Sequence, residues 1–259
     1  MENALKIALI QTDLAWENPE QNRINLSQKI DSINESVDLV ILPEMFTSGF
    51  TMNAEAVAEQ MSGNTVEWMR QLSSKNQCAI TGSLVIKDKN HYFNRMLFVH
   101  PNGQVDSYDK RHTFTLAGEH KVYEAGTSNT IVDYKNWKIK LQVCYDLRFP
   151  VWSRNVENYD LLLYVANWPK VRIDAWDTLL KARAIENMSY CVGVNRVGYD
   201  GNKHEYSGHS AVYDVLGNRL DHISENQDTI EIVTLNKSII ETYRTKLGFL
   251  KDRDTFSLE

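Results

Sequence analysis

Of the three cysteines in the chain, Cys144 is the one placed where a thiol could act as a nucleophile. In Lys138-Ile139-Lys140-Leu141-Gln142-Val143-Cys144 the apolar residues fall on odd positions and the polar ones on even positions, so on a strand Cys144 shares the polar face. Tyr145-Asp146-Leu147-Arg148-Phe149-Pro150 follows, with Pro150 suited to the first turn of a helix. A thiol between the C-terminal end of a strand and the start of a helix lies near free backbone N–H groups, which favour a thiolate and can steady an oxyanion. Cys78 opens an apolar stretch and Cys191 sits among Val192, Gly193 and Val194, so both read as small core residues.

A free cysteine ionises near pH ~8.5, so a catalytic one needs a base or a cation beside it. Two residues qualify. Glu44 follows Pro43 at the C-terminal end of the apolar run 37–42, where open α/β folds place their sites. Lys110 stands in Tyr108-Asp109-Lys110-Arg111-His112, after the turn Pro101-Asn102-Gly103. Taken singly, Glu44 also reads as a solvated turn acid and Lys110 as part of a solvated strand end.

The elements that must position these residues are strands alternating with helices. Short β-branched runs at 6–11, 38–42, 78–86, 92–100, 139–144, 161–166, 190–197, 209–215 and 229–235 are strand candidates. Helix-length segments lie at 20–34, 65–76, 150–157, 174–188 and 237–246. Alternation of this kind predicts an α/β protein with helices covering its sheets, and the hairpin-like pair around Asp88-Lys89-Asn90 makes those sheets mixed. No linker or composition break divides residues 1–259, which read as one domain. The polar stretch 199–207, with Gly198 and Gly201 near its start, is the most loop-like segment and could border a site.

Composition narrows the function. A 42% hydrophobic, 24% charged chain is an ordinary folded one, and a net charge of −6 argues against nucleic acid or an anionic membrane as partner. The longest apolar runs, such as 161–166, are far short of the ~20 residues that cross a bilayer. The N-terminal residues lack the layout of a signal peptide, and three scattered cysteines form no disulfide framework, so a cytoplasmic location is expected. Nucleotide-loop, HExxH and GxSxG patterns are missing, and no metal or cofactor is expected.

Three separated motifs resemble the nitrilase superfamily of carbon–nitrogen hydrolases. Leu42-Pro43-Glu44-Met45-Phe46 is similar to its glutamate motif, Tyr108-Asp109-Lys110-Arg111-His112 to its lysine motif, and Val143-Cys144-Tyr145-Asp146-Leu147-Arg148-Phe149-Pro150 to its cysteine motif. The likeness continues through Ala166-Asn167-Trp168-Pro169, Ala182-Arg183-Ala184-Ile185-Glu186-Asn187 and Asn195-Arg196-Val197-Gly198. It implies a four-layer αββα sandwich of two mixed β-sheets covered by helices, assembled as a homodimer, with 247–259 as an interface arm. It also implies the chemistry: Glu44 as general base, Cys144 as nucleophile forming a thioester, and Lys110 with the Tyr145 backbone N–H as oxyanion donors. Glu119, in Ala117-Gly118-Glu119-His120, matches an additional glutamate that orients the lysine and substrate.

Within the superfamily the chain resembles the omega-amidase branch, on the strength of 45–50, 114–119 and 169–176. That branch hydrolyses the side-chain amide of 2-oxoglutaramate or 2-oxosuccinamate to the dicarboxylate and ammonia. The substrate carboxylate then calls for a bidentate cation, Arg172 first and Arg148 second, and Met45, Phe46, Phe114 and Trp168 are expected to wall the short carbon chain. The alternatives are another amidase of the superfamily, acting on deaminated glutathione, an N-carbamoyl compound or an aliphatic amide; a Cys-His hydrolase using His204 or His209; and a non-catalytic binding protein.

Overall fold

Side-chain alternation along the strands decides which layers meet. The computed structural model describes residues 3–258. The first half of the chain forms β1 (Ala4–Gln11), α1 (Pro19–Asp31), β2 (Leu39–Ile41), α2 (Ala54–Val57), α3 (Asn64–Asn76), β3 (Ala79–Asp88), β4 (His91–Val99) and β5 (Val105–Asp109). The second half forms β6 (Ile131–Tyr134), β7 (Trp137–Val143), α4 (Pro150–Ser153), β8 (Leu161–Ala166), α5 (Ile173–Asn187), β9 (Tyr190–Asn195), β10 (Val197–Tyr199), β11 (Glu205–Ser207), β12 (Ala211–Tyr213), β13 (Thr229–Asn236) and α6 (Lys237–Leu247).

One sheet runs β13-β1-β2-β3-β4-β5 and the other β12-β9-β8-β7-β6, with β10 and β11 paired apart from both. Each main sheet has a parallel centre, β1-β2-β3 or β7-β8-β9, flanked by antiparallel strands. Leu5, Ile7 and Leu9 of β1 face Ile139, Leu141, Leu163 and Val165 of the second sheet across one apolar core. On the opposite face of the first sheet, Ala8, Ile10 and Val40 pack under Leu26 and Ile30 of α1 and Met69 and Leu72 of α3. Leu162 and Tyr164 likewise pack under Trp176, Leu180 and Ala184 of α5. The layers are therefore α, β, β, α: helices cover the sheets as the alternation predicts, and the four layers are those the family resemblance implies.

Gly193 sets how closely α5 lies on β9. A Cβ there would come within 2.5 Å of Leu180 Cδ1 and 2.6 Å of Trp176 Cζ2.

Three expected elements differ. The strand expected at 139–144 stops at Val143, and Cys144 opens the 3₁₀ helix Cys144–Arg148. The helix expected at 150–157 ends at Ser153, because the Asn155 side chain turns the chain by bonding Tyr159 N and O. The strand expected at 209–215 is paired only over Ala211–Tyr213.

The two sheets bring their strand ends together. Val143 of β7 pairs with Val165 of β8, so Cys144 and Asn167 leave neighbouring strands at nearly the same level. Glu44 leaves after β2 and Lys110 after β5 of the facing sheet. Because the core between the sheets holds both halves of this site in place, truncation far from it tests the fold alone. Leu235 of β13 is fully buried there. Leu235→Ala is expected to cost about 2–5 kcal/mol, read as a lower urea midpoint at unchanged m-value.

Candidate active site

Glu44 is fully buried, and each of its oxygens is committed. Oε1 accepts from Asn94 Nδ2 at 2.8 Å and from Lys110 Nζ at 3.0 Å, while Oε2 accepts from Asn167 N at 2.7 Å. The Asn167 side chain closes the loop by donating to the Glu44 carbonyl at 2.6 Å. Lys110, also buried, donates to Glu119 Oε1 at 3.0 Å and Oε2 at 2.9 Å, and its Nζ lies 5.2 Å from the centre of the Phe50 ring. Glu119 takes a further bond from Phe114 N.

The Cys144 thiol lies within the field of the Glu44 carboxylate. Its backbone is left-handed, with φ +45°, at the start of a 3₁₀ helix whose first N–H groups, including that of Tyr145, have no partner within the helix. The even-numbered face of β7, with which Cys144 was expected to be in phase, is buried at Lys140 and Gln142. It is the turn out of the strand that exposes the sulfur to the cavity.

Electrostatics corrects one expectation. Despite the free N–H groups, burial pushes the Cys144 thiol well above its ordinary range, the Glu44 charge pushes in the same direction, and Lys110 only partly opposes them. The resting sulfur is a thiol, and ionising it requires a base. Burial lowers the Lys110 ammonium, but Glu119 and then Glu44 outweigh it, so Lys110 ionises above its usual range and stays charged. Burial raises Glu119, and Lys110 offsets that only in part.

A cavity of about 600 Å³ opens over Cys144. Lys110, Phe114, Tyr145, Arg148, Trp168 and Arg172 line it. Arg148 stacks over Trp168 at 4.9 Å and Arg172 over Phe114 at 5.2 Å. Among the described residues neither guanidinium has a carboxylate partner. Glu44 and Glu119 stand behind Lys110.

Met45 and Phe46 do not wall the cavity. Met45, with φ +42°, turns its side chain into a cluster with Ala54, Val57, Val85 and Tyr123. Phe46 packs into the core under α3, 5.9 Å from the Trp68 ring. Phe50, Trp16 and Met52 supply apolar lining instead. The stretch 199–207 is partly the β10–β11 pair, and it borders the cavity through Asp200, Asn202, His204 and Tyr206.

His204 is at the cavity, held by Asp200 Oδ2 at 3.0 Å; His209 is held between Asp177 and Glu225 and does not line the cavity. The charged group that acts most strongly on Cys144 is thus a carboxylate, Glu44, and not a histidine. Asn94 bridges Glu44 and Glu119, and its only sequence signal is an amide inside an apolar strand. Asp146, buried beneath the turn, likewise carries no local sequence signal of a role.

A thiol, a carboxylate and an ammonium gathered at the strand ends of an αββα sandwich are the arrangement that the resemblance to carbon–nitrogen hydrolases implies. A model of the carbon-nitrogen hydrolase family matches residues 6–245, and the chain belongs to that family. Over 258 residues it is 43% identical to the omega-amidase YafV of Yersinia enterocolitica, covering 99% of both chains. It is 30% identical over 216 residues to the 2-oxoglutaramate amidase of Bacillus subtilis, covering 82% of this chain and 83% of that one. In structure it is similar to XC1258 from Xanthomonas campestris, a CN-hydrolase superfamily protein with an arsenic adduct in its active site: TM-score 0.95, 42% identity and 99% coverage of both chains.

The electrostatics predicts a pH signature for the sulfur. Alkylation of Cys144 by iodoacetamide, followed by mass spectrometry, should rise with pH with a midpoint above the ~8.5 of a free thiol. Glu44→Gln removes the charge that raises the thiol, so its midpoint should move down. A wild-type midpoint at or below that of free cysteine would contradict the assignment.

Proposed function

We propose that the protein is an omega-amidase that hydrolyses the side-chain amide of 2-oxoglutaramate or 2-oxosuccinamate to the dicarboxylate and ammonia. The observation that carries the reading is the pair of guanidiniums, Arg148 and Arg172, beside Cys144 in one cavity whose own carboxylates, Glu17 and Asp200, are bonded to Thr51 and Asn53 and to His204 and Tyr206 instead. Planar guanidinium groups bind carboxylates with paired hydrogen bonds, and a 2-oxo acid amide brings a carboxylate at the end remote from its amide. The omega-amidase and 2-oxoglutaramate amidase relatives support the same substrate class.

In this mechanism Glu44 takes the Cys144 proton as the sulfur attacks the amide carbon. The carbonyl oxygen becomes negative between Lys110 Nζ and the Tyr145 N–H, and Glu119 keeps Lys110 in place. Glu44 returns the proton to the leaving nitrogen, and ammonia departs from a Cys144 thioester. Water, deprotonated by Glu44, then attacks the thioester; the second oxygen of the new carboxylate comes from that water and the thiol is regenerated.

The same reading takes 1–259 as one domain working as a homodimer in the cytoplasm. Exposed Leu247, Phe249, Phe256 and Leu258 support the dimer, and the need for a reduced Cys144 supports the compartment.

Ammonia release compared across 2-oxoglutaramate, glutamine, deaminated glutathione, an N-carbamoyl compound and a simple nitrile tests the substrate class, with 2-oxoglutaramate expected fastest. Cys144→Ala should abolish release while the protein stays folded by circular dichroism; retained turnover would remove the thiol from the mechanism. Losing one charge-assisted bidentate contact is worth roughly tenfold to a hundredfold in binding. Arg172→Ala should therefore raise KM for 2-oxoglutaramate by that factor and leave an uncharged amide within about threefold. Equal losses on both substrates would rule out Arg172 as the carboxylate anchor.

A further inference from the structure

Asp146 lies two residues past Cys144, is fully buried, and has no step in the chemistry above. Its carboxylate meets four hydrogen-bond donors drawn from two segments. Oδ2 accepts from Val143 N at 3.0 Å and from the Tyr108 hydroxyl at 2.8 Å. Oδ1 accepts from His112 N at 3.0 Å and pairs with His112 Nδ1 at 2.7 Å. A carboxylate offers about four acceptor positions, and here all are taken.

The placement of those donors is what matters. Val143 precedes the nucleophile, while Tyr108 and His112 stand two residues to either side of Lys110. Both lysine-side partners are themselves fixed. The Tyr108 hydroxyl accepts from Trp152 Nε1 at 3.0 Å and from Arg111 N at 3.2 Å, and His112 stacks on Phe149 at 3.6 Å with the rings 3° from parallel. At the far end of the 3₁₀ helix, Arg183 Nη2 of α5 donates to Leu147 O at 2.6 Å.

Cys144 and Lys110 belong to opposite sheets, whose facing sides share an apolar core. Apolar packing is non-directional, whereas hydrogen bonds fix distance and angle. Among the polar ties that cross between the sheets, Asn167 to Glu44 holds the base, and Asp146 to Tyr108 and His112 holds the segment that carries the cation. We infer that Asp146 is a positioning residue, a clamp between the turn of Cys144 and the strand end of Lys110 that sets the gap in which the substrate's carbonyl oxygen must fit. The inference rests on the proposed mechanism, in which Lys110 steadies that oxygen.

The test compares amide hydrolysis with the bare reactivity of the sulfur. In Asp146→Asn one acceptor oxygen becomes an NH₂ group facing donors, so the clamp opens while the side chain keeps its size. Misplacing a reacting group by about 1 Å costs on the order of a hundredfold. For 2-oxoglutaramate, kcat should fall by about that factor with KM within threefold, while iodoacetamide still alkylates Cys144 within about threefold of the wild-type rate. Tyr108→Phe removes a single bond of the clamp and serves if Asp146→Asn folds poorly; its kcat should fall by about tenfold.

Leu235→Ala supplies the comparison for a loss of stability alone, since its kcat per folded molecule should stay near wild type. The clamp is overturned if both clamp variants keep wild-type kcat. It is also overturned if their kcat falls only as far as their folded fraction, or if kcat and alkylation fall by the same factor. Failure of the mechanism itself would look different, because Cys144→Ala would then still release ammonia.

Discussion

Two carboxylates and one ammonium are buried together beside the cavity, and the elements around them supply the further donors that this charge set needs. Glu44, Lys110 and Glu119 are all buried, and removing one member of a buried ion pair typically costs about 3–5 kcal/mol because its partner is left uncompensated. Asn94 from β4 and the N–H of Asn167 after β8 supply the extra donors that two carboxylates and one lysine need. Four chain segments therefore converge on three charges. The αββα layering allows this because the strands of both sheets deliver their C-terminal ends to one place.

The same place carries backbone strain. Met45 and Cys144, neither of them glycine, both follow strands and both adopt left-handed backbone, a conformation costing on the order of 1–3 kcal/mol each. Each is held by specific bonds. Met45 N donates to Ser83 Oγ at 2.9 Å, and the Cys144 turn is fastened by Asp146 in front and Arg183 behind. The strain aims Glu44 and the sulfur at each other instead of along their strands.

Much of this is legible in the chain. Alternating apolar residues mark β1, β7 and β13, a continuous apolar run marks β8, and α1, α3, α5 and α6 lie within a few residues of their expected bounds. What escapes is short or set by distant contacts. β5 and β6 are edge strands of five and four residues whose sequences, Val-Asp-Ser-Tyr-Asp and Ile-Val-Asp-Tyr, carry too few apolar residues to show a period. Met45 and Phe46 lie beside a reactive residue in sequence, yet a left-handed turn sends them into the core. Asn94 and Asp146 matter through partners 50 and 38 residues away, and no local pattern reports such pairings.

The protonated resting state of Cys144 has a consequence for how long the enzyme lasts. Peroxides and other oxidants attack thiolates, and the damage runs from sulfenic acid to irreversible sulfinic and sulfonic acids. A sulfur that burial and the Glu44 charge hold as a thiol is a poor target for them between turnovers. In the proposed mechanism nucleophilicity then emerges only when a carbonyl carbon is there to receive it, so the reliance on Glu44 and the shielding from chemical ageing have one cause.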